Sequence, residues 1–434
     1  MLMAGSGRIN DNGHLEIGGC DTVELAGRYG TPLYVMDERL IRENCRRYQN
    51  ALKKAYPFGE IFYAGKAFLI VAMAALINEE GLGLDVVSGG ELFTAGRAGF
   101  SPGRICFHGN NKSREEIAQA LEAGVGRIVV DSLSELEELL LLTDRTRERP
   151  VILLRIRPGI EVHTHSYIQT GQEDSKFGFG LQDEDTWRAI NLALLNREKV
   201  ELCGFHCHIG SQIFQNEPFA LAAEAMFDFM VEVKEKTGFI ATQLSMGGGL
   251  GIRYTKEDRP PSIETFVEFV AARVKNAAAQ RKFPLPQLLL EPGRSIVGEA
   301  GTTLYCIGTI KDIPGVRRYV AVDGGMADNI RPALYQAVYG AALANRAGEK
   351  PSEMVTIAGK ACESGDILIQ ETLLPPVEKG DLLAVFSTGA YCYAMASNYN
   401  RTPRPAVLFV GEGKARVVAR RETYEDLIRL EKPI

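Results

Sequence analysis

The sequence predicts an α/β chain: a (β/α)8 TIM barrel over residues 37–300, joined to a mostly β C-terminal domain of residues 301–434 that the N-terminal segment, 1–36, completes. Three observations lead there. A strand followed by a helical pattern recurs eight times, the number that a closed barrel requires. Nearly all of those strands end in a polar residue, a glycine or a proline. A barrel gathers such ends at one mouth, whereas the rival doubly wound open sheet does not. Beyond residue 300, strand-like runs follow one another with little helix between them.

In chain order, residues 15–17 and 32–35 read as short strands that pack on the β-rich domain. Residues 61–64 are an apolar, aromatic run ended by Gly65, and helical periodicity resumes over 69–76. The eight barrel strands end near Lys66, Ser88, Gly109, Asp131, Pro158, Gly210, Gly249 and Pro292. Helical patterns fill most gaps, among them 113–122, 132–142, 217–236 and 262–280. The first two open on Ser-x-x-Glu, in which serine and glutamate satisfy each other's free backbone N–H groups. The β-rich domain is read from strands at 302–310, 319–322, 355–358, 382–386, 406–409 and 415–419.

Composition removes several functional classes. At 434 residues, 45% hydrophobic and 24% charged, the chain is long enough for a large core, and nothing in it suggests disorder. A net charge of −6 without clustered Lys and Arg argues against a nucleic-acid partner. No apolar run approaches the roughly 20 residues of a membrane span, and no basic-then-apolar leader opens the chain, so a cytoplasmic protein is expected. Its eight cysteines form no Cys-x-x-Cys pairs, as reduced thiols would not.

The candidate chemistry begins at Lys66. A strand-end lysine can snorkel to solvent, but in apolar surroundings its ammonium form is disfavoured. An amine with an ordinary pKa of roughly 10.4 then becomes a better nucleophile toward an aldehyde, which is how a Schiff-base lysine is made. Gly247-Gly-Gly-Leu-Gly251 follows a strand and allows backbone N–H groups to approach an anion, and Ser211 supplies a further donor. Glu291 puts an acid at the end of an apolar run, where burial is costly. A carboxylate there suits a protonated pyridine nitrogen, the electron sink of pyridoxal phosphate. The competing reading is a metal at the His206-x-His208 pair, with His163 and His165 repeating the spacing in a long connection that reads as a mobile lid. Six histidines in all are few for a metallohydrolase, and no metal is expected.

The ordered motifs Tyr63-Ala-Gly-Lys66, Ser88-Gly-Gly-Glu-Leu92, His206-Cys-His-Ile-Gly-Ser211, Gly247-Gly-Gly249, Glu291-Pro-Gly-Arg294, Asp328-Asn-Ile-Arg-Pro-Ala-Leu-Tyr335, Cys362-Glu-Ser-Gly-Asp366 and Gly389-Ala-Tyr391 resemble those of the diaminopimelate decarboxylases, in the alanine-racemase-like, fold-type III class of pyridoxal-phosphate enzymes. The resemblance implies decarboxylation of meso-2,6-diaminopimelate to L-lysine, the last step of lysine biosynthesis. It implies that Lys66 carries the cofactor, His208 stacks on its ring and Glu291 binds the ring nitrogen. Ser211, Gly248, Gly249, Gly293, Arg294 and Tyr391 would surround the phosphate. Arg294, Arg331 and Tyr335 would meet the substrate's carboxylates, Glu363 its distal ammonium, and Tyr391 would also touch the substrate. It further implies a homodimer with shared active sites, in which Cys362 of one chain is the proton donor in the site of the other. Without the family, Cys362 reads as a buried core cysteine. The alternatives are a decarboxylase of another basic amino acid or carboxylated polyamine, and an inactive regulatory homologue.

Overall fold

A computed structural model of the chain describes residues 3–143, 149–160 and 175–434. His163, His165 and the connection read as a lid lie outside the described residues, apart from its end at Ser175 to Gly178. The chain forms two compact units. One comprises Asn44–Gly251 and Pro260–Ser295, and the other Met1–Glu43, Ile252–Arg259 and Ile296–Ile434. The first is narrower than the 37–300 read from sequence, and residues 252–259 group with the second.

The second unit begins with a small antiparallel sheet of β1 (Arg8–Ile9), β2 (Leu15–Ile17) and β3 (Cys20–Asp21), followed by β4 (Leu33–Asp37).

The barrel unit then contributes β5 (Gly59–Ala64), β6 (Gly83–Val86), β7 (Ile105–Phe107), β8 (Arg127–Val130), β9 (Val151–Arg157), β10 (Phe179–Gly180), β11 (Glu201–His206), β12 (Gln243–Ser245) and β13 (Gln287–Leu290). Eight of these pair in parallel around a closed ring, sealed by β13 on β5 and β8 on β9. The two-residue β10 pairs outside the ring on β9. Apolar runs suit these strands because their outer faces are covered by helices and their inner faces fill the barrel. Phe62, Cys106, Val129, Leu153, Cys203 and Leu289 form the packed interior cluster. At Gly204, next to a register shift in β11, a Cβ would stand 1.9 Å from the Gln243 carbonyl oxygen, so only glycine lets the two strands meet there.

The helices follow the expected periodicity. Helix Arg114–Ala123 starts with the full reciprocal cap between Ser113 and Glu116. Ser132 only half fulfils the same pattern: it accepts from Glu135 N at 3.3 Å, but the Glu135 carboxylate accepts instead from Asp131 N and pairs with buried Lys112 at 2.7 Å. Helices Glu217–Thr237 and Ile263–Gln280 pack together through Phe219 and Phe266, edge to face at 4.9 Å.

The rest of the second unit is mostly β: β14 (Gly301–Ile313), β15 (Arg317–Val322), β16 (Ala341–Leu343), β17 (Glu353–Ala358), β18 (Ile367–Leu374), β19 (Leu382–Phe386), β20 (Ala406–Gly411) and β21 (Lys414–Ala419). Its main sheet runs β18-β17-β15-β14-β4-β20-β21. The N-terminal β4 therefore lies between β14, antiparallel, and β20, parallel. All five β4 residues are buried, as a central strand demands, and Leu33 and Val35 join Leu304, Phe386, Leu408 and Val410 in one core. β16 and β18 were not read from the sequence.

Candidate active site

The deepest part of the barrel mouth is built from neighbouring strand ends. Ser245 ends β12 and His206 ends β11, and the parallel register sets both beside Glu291, which follows β13. Ser245 Oγ donates to Glu291 Oε1 at 2.6 Å and accepts from Gly247 N at 3.1 Å. His206 Nε2 lies 3.0 Å from Glu291 Oε2. Across the barrel, His108 Nε2 stands 3.5 Å from Asp85 Oδ1 and 3.8 Å from Glu291 Oε1. All five groups are buried.

Burial alone would drive the Glu291 carboxyl upward, but the flanking His206 and His108 rings and the donors from His206 and Ser245 hold it well below the usual carboxylate range. Burial pushes His206 and His108 down to about 4, against the pull of Glu291. It also drives Asp85 well above the carboxylate range, helped by the charge of Glu291 and opposed by Lys66. At neutral pH the ionised Glu291 thus sits among two neutral imidazoles, while the Asp85 carboxyl beside them is shifted in the opposite direction. Such splitting of two nearby carboxyls marks functional sites.

A second group lies beside the first. The Gly247–Gly249 turn has φ of +65° at Gly247 and +125° at Gly249. A Cβ on Gly248 would stand 2.2 Å from the Glu291 carbonyl oxygen. Gly248 N donates to His208 Nδ1 at 3.3 Å, so the proton of the neutral His208 ring sits on Nε2. Burial, then Lys66, holds His208 well below the ordinary histidine value. The loop carrying Ser211 is tied to these glycines by Ile213 N to Gly249 O at 2.9 Å and Gly251 N to Ile213 O at 3.0 Å. Arg294, itself buried, donates to Ser211 Oγ from Nη2 at 2.8 Å. Gly293 packs against Ala64, two residues before Lys66, and Ala64 N donates to Pro292 O at 3.0 Å. Lys66 sits on the short turn Gly65–Ala67 with its side chain exposed, so the chain's own packing does not supply the desolvation argued from sequence. Lys66, His208, Ser211, Gly248, Gly249, Glu291, Gly293 and Arg294 are thereby all placed at one end of the barrel.

The remaining residues belong to the second unit. Arg331 is buried, donates to Tyr254 OH at 3.0 Å and to Tyr339 OH, and lies over both rings. Tyr335 is half-buried at the end of the short helix Arg331–Tyr335. Tyr391 has φ of +61°, a conformation that costs a non-glycine residue on the order of 1 kcal/mol and recurs at functional sites. Cys362 and Glu363 are exposed, on a loop pinned by Asp366, which accepts from Ala361 N at 2.8 Å and Met326 N at 2.7 Å. Alone among the eight cysteines, Cys362 is exposed, which corrects the reading of it as a core residue.

Sequence reading missed Ser245, His108, Asp85 and the tyrosine pair around Arg331. In sequence His206 reads as one of a metal pair with His208 and as the first residue of the His206–Ser211 motif, without a role of its own. In the structure the partner ring of His206 is His108, at 5.0 Å between centroids. The donor atoms of His108, His206 and Glu291 lie within 4.8 Å of one another, but both Glu291 oxygens are already engaged by Ser245 and His206. Asp85 carried a usable signal, since an acid in the apolar run Gly83-Leu-Asp-Val-Val is as costly as Glu291.

The donor set fits pyridoxal phosphate: a strand-end amine, a glycine turn where a Cβ would meet backbone, a serine and arginine beside it, and a buried carboxylate kept ionised. A family profile described as "Pyridoxal-dependent decarboxylase, pyridoxal binding domain" matches residues 39–298. A diaminopimelate decarboxylase of Bacillus subtilis (strain 168) is 56% identical over 433 residues, covering 100% of this chain and 98% of the relative. A crystal structure of diaminopimelate decarboxylase from M. jannaschii in complex with L-lysine superposes with a TM-score of 0.91 at 37% identity, covering 100% of this chain and 99% of that one. A lysine/ornithine decarboxylase of Vibrio vulnificus in complex with cadaverine shares the fold at 24% identity, with a TM-score of 0.75 and coverage of 90% and 98%. No helix among the described residues is long and apolar enough to cross a membrane.

Proposed function

We infer the reaction from kinship: the chain belongs to the pyridoxal-dependent decarboxylases and, within them, to the diaminopimelate decarboxylases. It uses pyridoxal phosphate to remove one carboxylate from meso-2,6-diaminopimelate, leaving L-lysine and carbon dioxide at the end of lysine biosynthesis. The observation that carries this is 56% identity over the whole chain to a relative of that name. The bound cofactor supplies an aldehyde that links to amines and a ring that accepts the electron pair left behind at Cα.

On this reading Lys66 would hold the cofactor through its amine. Ser211, Gly248, Gly249, Gly293, Arg294 and Tyr391 grip the phosphate, and His208 lies against the ring. Glu291 holds a proton at the ring nitrogen, a role its ionised state supports. Arg294, Arg331 and Tyr335 bind carboxylates, Tyr391 touches the substrate beside them and Glu363 meets the distal ammonium, so that binding far from the scissile bond fixes its orientation. Cys362 returns a proton to Cα, and exposure of its thiol supports that role. Two chains share each site, the Cys362–Glu363 loop of one serving the other. The exposed apolar Leu334, Val338 and Leu373 of the same unit support a partner there. An exposed thiol is also at home in the reducing cytoplasm.

The test is carbon dioxide release from a substrate panel. We expect turnover of meso-2,6-diaminopimelate, little or none of L-lysine, L-ornithine or a carboxylated polyamine, and none by Lys66→Ala. Preference for a substrate with a single amino-acid head would overturn the assignment.

A further inference from the structure

We propose that His206 is a positioning residue: by donating its Nε2 proton to Glu291 Oε2, it keeps the proton shared between Glu291 and the cofactor on the ring nitrogen rather than on the carboxylate. The proposal rests on the reading of Glu291 as partner of that nitrogen and goes beyond it, because nothing in that role requires His206.

Geometry fixes the direction of the bond. The His206 side chain is 1% exposed, its Nε2 lies 3.0 Å from Oε2, and its Nδ1 has no hydrogen-bond partner among the described residues. A neutral imidazole carries one N–H. With the proton on Nδ1, a buried donor would be orphaned and two lone pairs would face each other at 3.0 Å. With the proton on Nε2, the ring makes a charge-assisted bond to the carboxylate, and only a bare acceptor is left over. Ser245 acts likewise, since its Oγ accepts from Gly247 N and its hydroxyl proton therefore points at Oε1. His108 supplies no such donor, standing 3.8 Å from Oε1.

Two donors thus reach the carboxylate from the protein side. Each stabilises the anion more than the protonated acid and so makes Glu291 the weaker competitor for a proton shared with a ring nitrogen. In a buried site this bias matters, because a low dielectric otherwise favours the uncharged arrangement, acid plus neutral ring. A neutral ring is the poorer electron sink.

The experiment loads the enzyme with pyridoxal phosphate labelled with 15N in its ring and records the ring-nitrogen resonance, which distinguishes pyridinium from pyridine. The parent should show pyridinium. His206→Phe keeps the ring shape but loses the donor, and should move the signal toward pyridine while kcat falls roughly 10- to 100-fold at little-changed KM. His206→Gln, which keeps an N–H, should restore the pyridinium signal; should His206→Phe fail to fold, His206→Leu takes its place. Glu291→Gln must also lose the pyridinium signal. If it does and the His206 donor-less variant does not, the proposal is overturned while the reading of Glu291 stands. If Glu291→Gln leaves the signal unchanged, that reading falls and takes this proposal with it.

Discussion

Glu291 shows how much of a site resides in the company one side chain keeps. Its cost at the end of an apolar run was legible in sequence, and so was the strand-end setting of Lys66. The partners were not, because His206 and Ser245 reach Glu291 only through the register of three parallel strands, which no local pattern encodes. The two buried imidazoles have a consequence for stability. Folded His206 and His108 titrate near 4, below the ordinary 6.5, so the unfolded chain takes up their protons first. Stability from this source is full above 6.5 and is lost as pH falls from 6.5 toward 4, by roughly 3 kcal/mol per ring. Proton uptake on urea unfolding of the cofactor-free protein at pH 5 should therefore be about one proton smaller in His206→Gln. Equal uptake in the two proteins would mean that His206 is already protonated in the fold.

Among elements, the glycine turn after β12 is tightly constrained. Gly248→Ala would drive a methyl against backbone rather than a yielding side chain, so we expect a loss of about 1–3 kcal/mol in stability and at least a tenfold weaker hold on pyridoxal phosphate, read by equilibrium dialysis. Gly96, with nothing within 4 Å of its added Cβ and an ordinary helical setting, is the control. Gly96→Ala should be neutral or stabilising by up to about 1 kcal/mol. The barrel strands were legible because each is an apolar run stopped by a turn residue. β18 was not, since Gln370, Glu371 and Thr372 interrupt its apolar residues, and β16 is a three-residue strand containing two alanines. Ser132 marks a different limit: the residues of a reciprocal cap are present, but the buried ammonium of Lys112 claims the glutamate.

For the whole molecule, the shared-site reading makes a quantitative prediction. Lys66→Ala and Cys362→Ala should each be nearly inactive alone, and mixing them under subunit exchange should restore activity. In a mixed dimer one site pairs intact Lys66 with intact Cys362, and the other carries both defects. Random reassortment makes half the dimers mixed, so at most about a quarter of parental activity returns. Background activity after exchange, with exchange proved by mass spectrometry of tagged chains, would assign Cys362 to its own chain or to no site. The two-unit plan was largely legible. The placement of β4 between two strands from the far end of the chain was only hinted at, because such pairing is set by topology rather than local pattern.

That placement bears on how the protein is made. β4 leaves the ribosome early, yet its two neighbours, β14 and β20, begin at Gly301 and Ala406. The barrel strands are complete at Leu290, so the barrel can close while the first 43 residues still wait, with an edge able to pair elsewhere. Stalled nascent chains of increasing length should thus gain protease resistance across the barrel first. Cleavage around Tyr34 should cease only once Gly411 has emerged; earlier protection there would mean that the strand finds another shelter during synthesis.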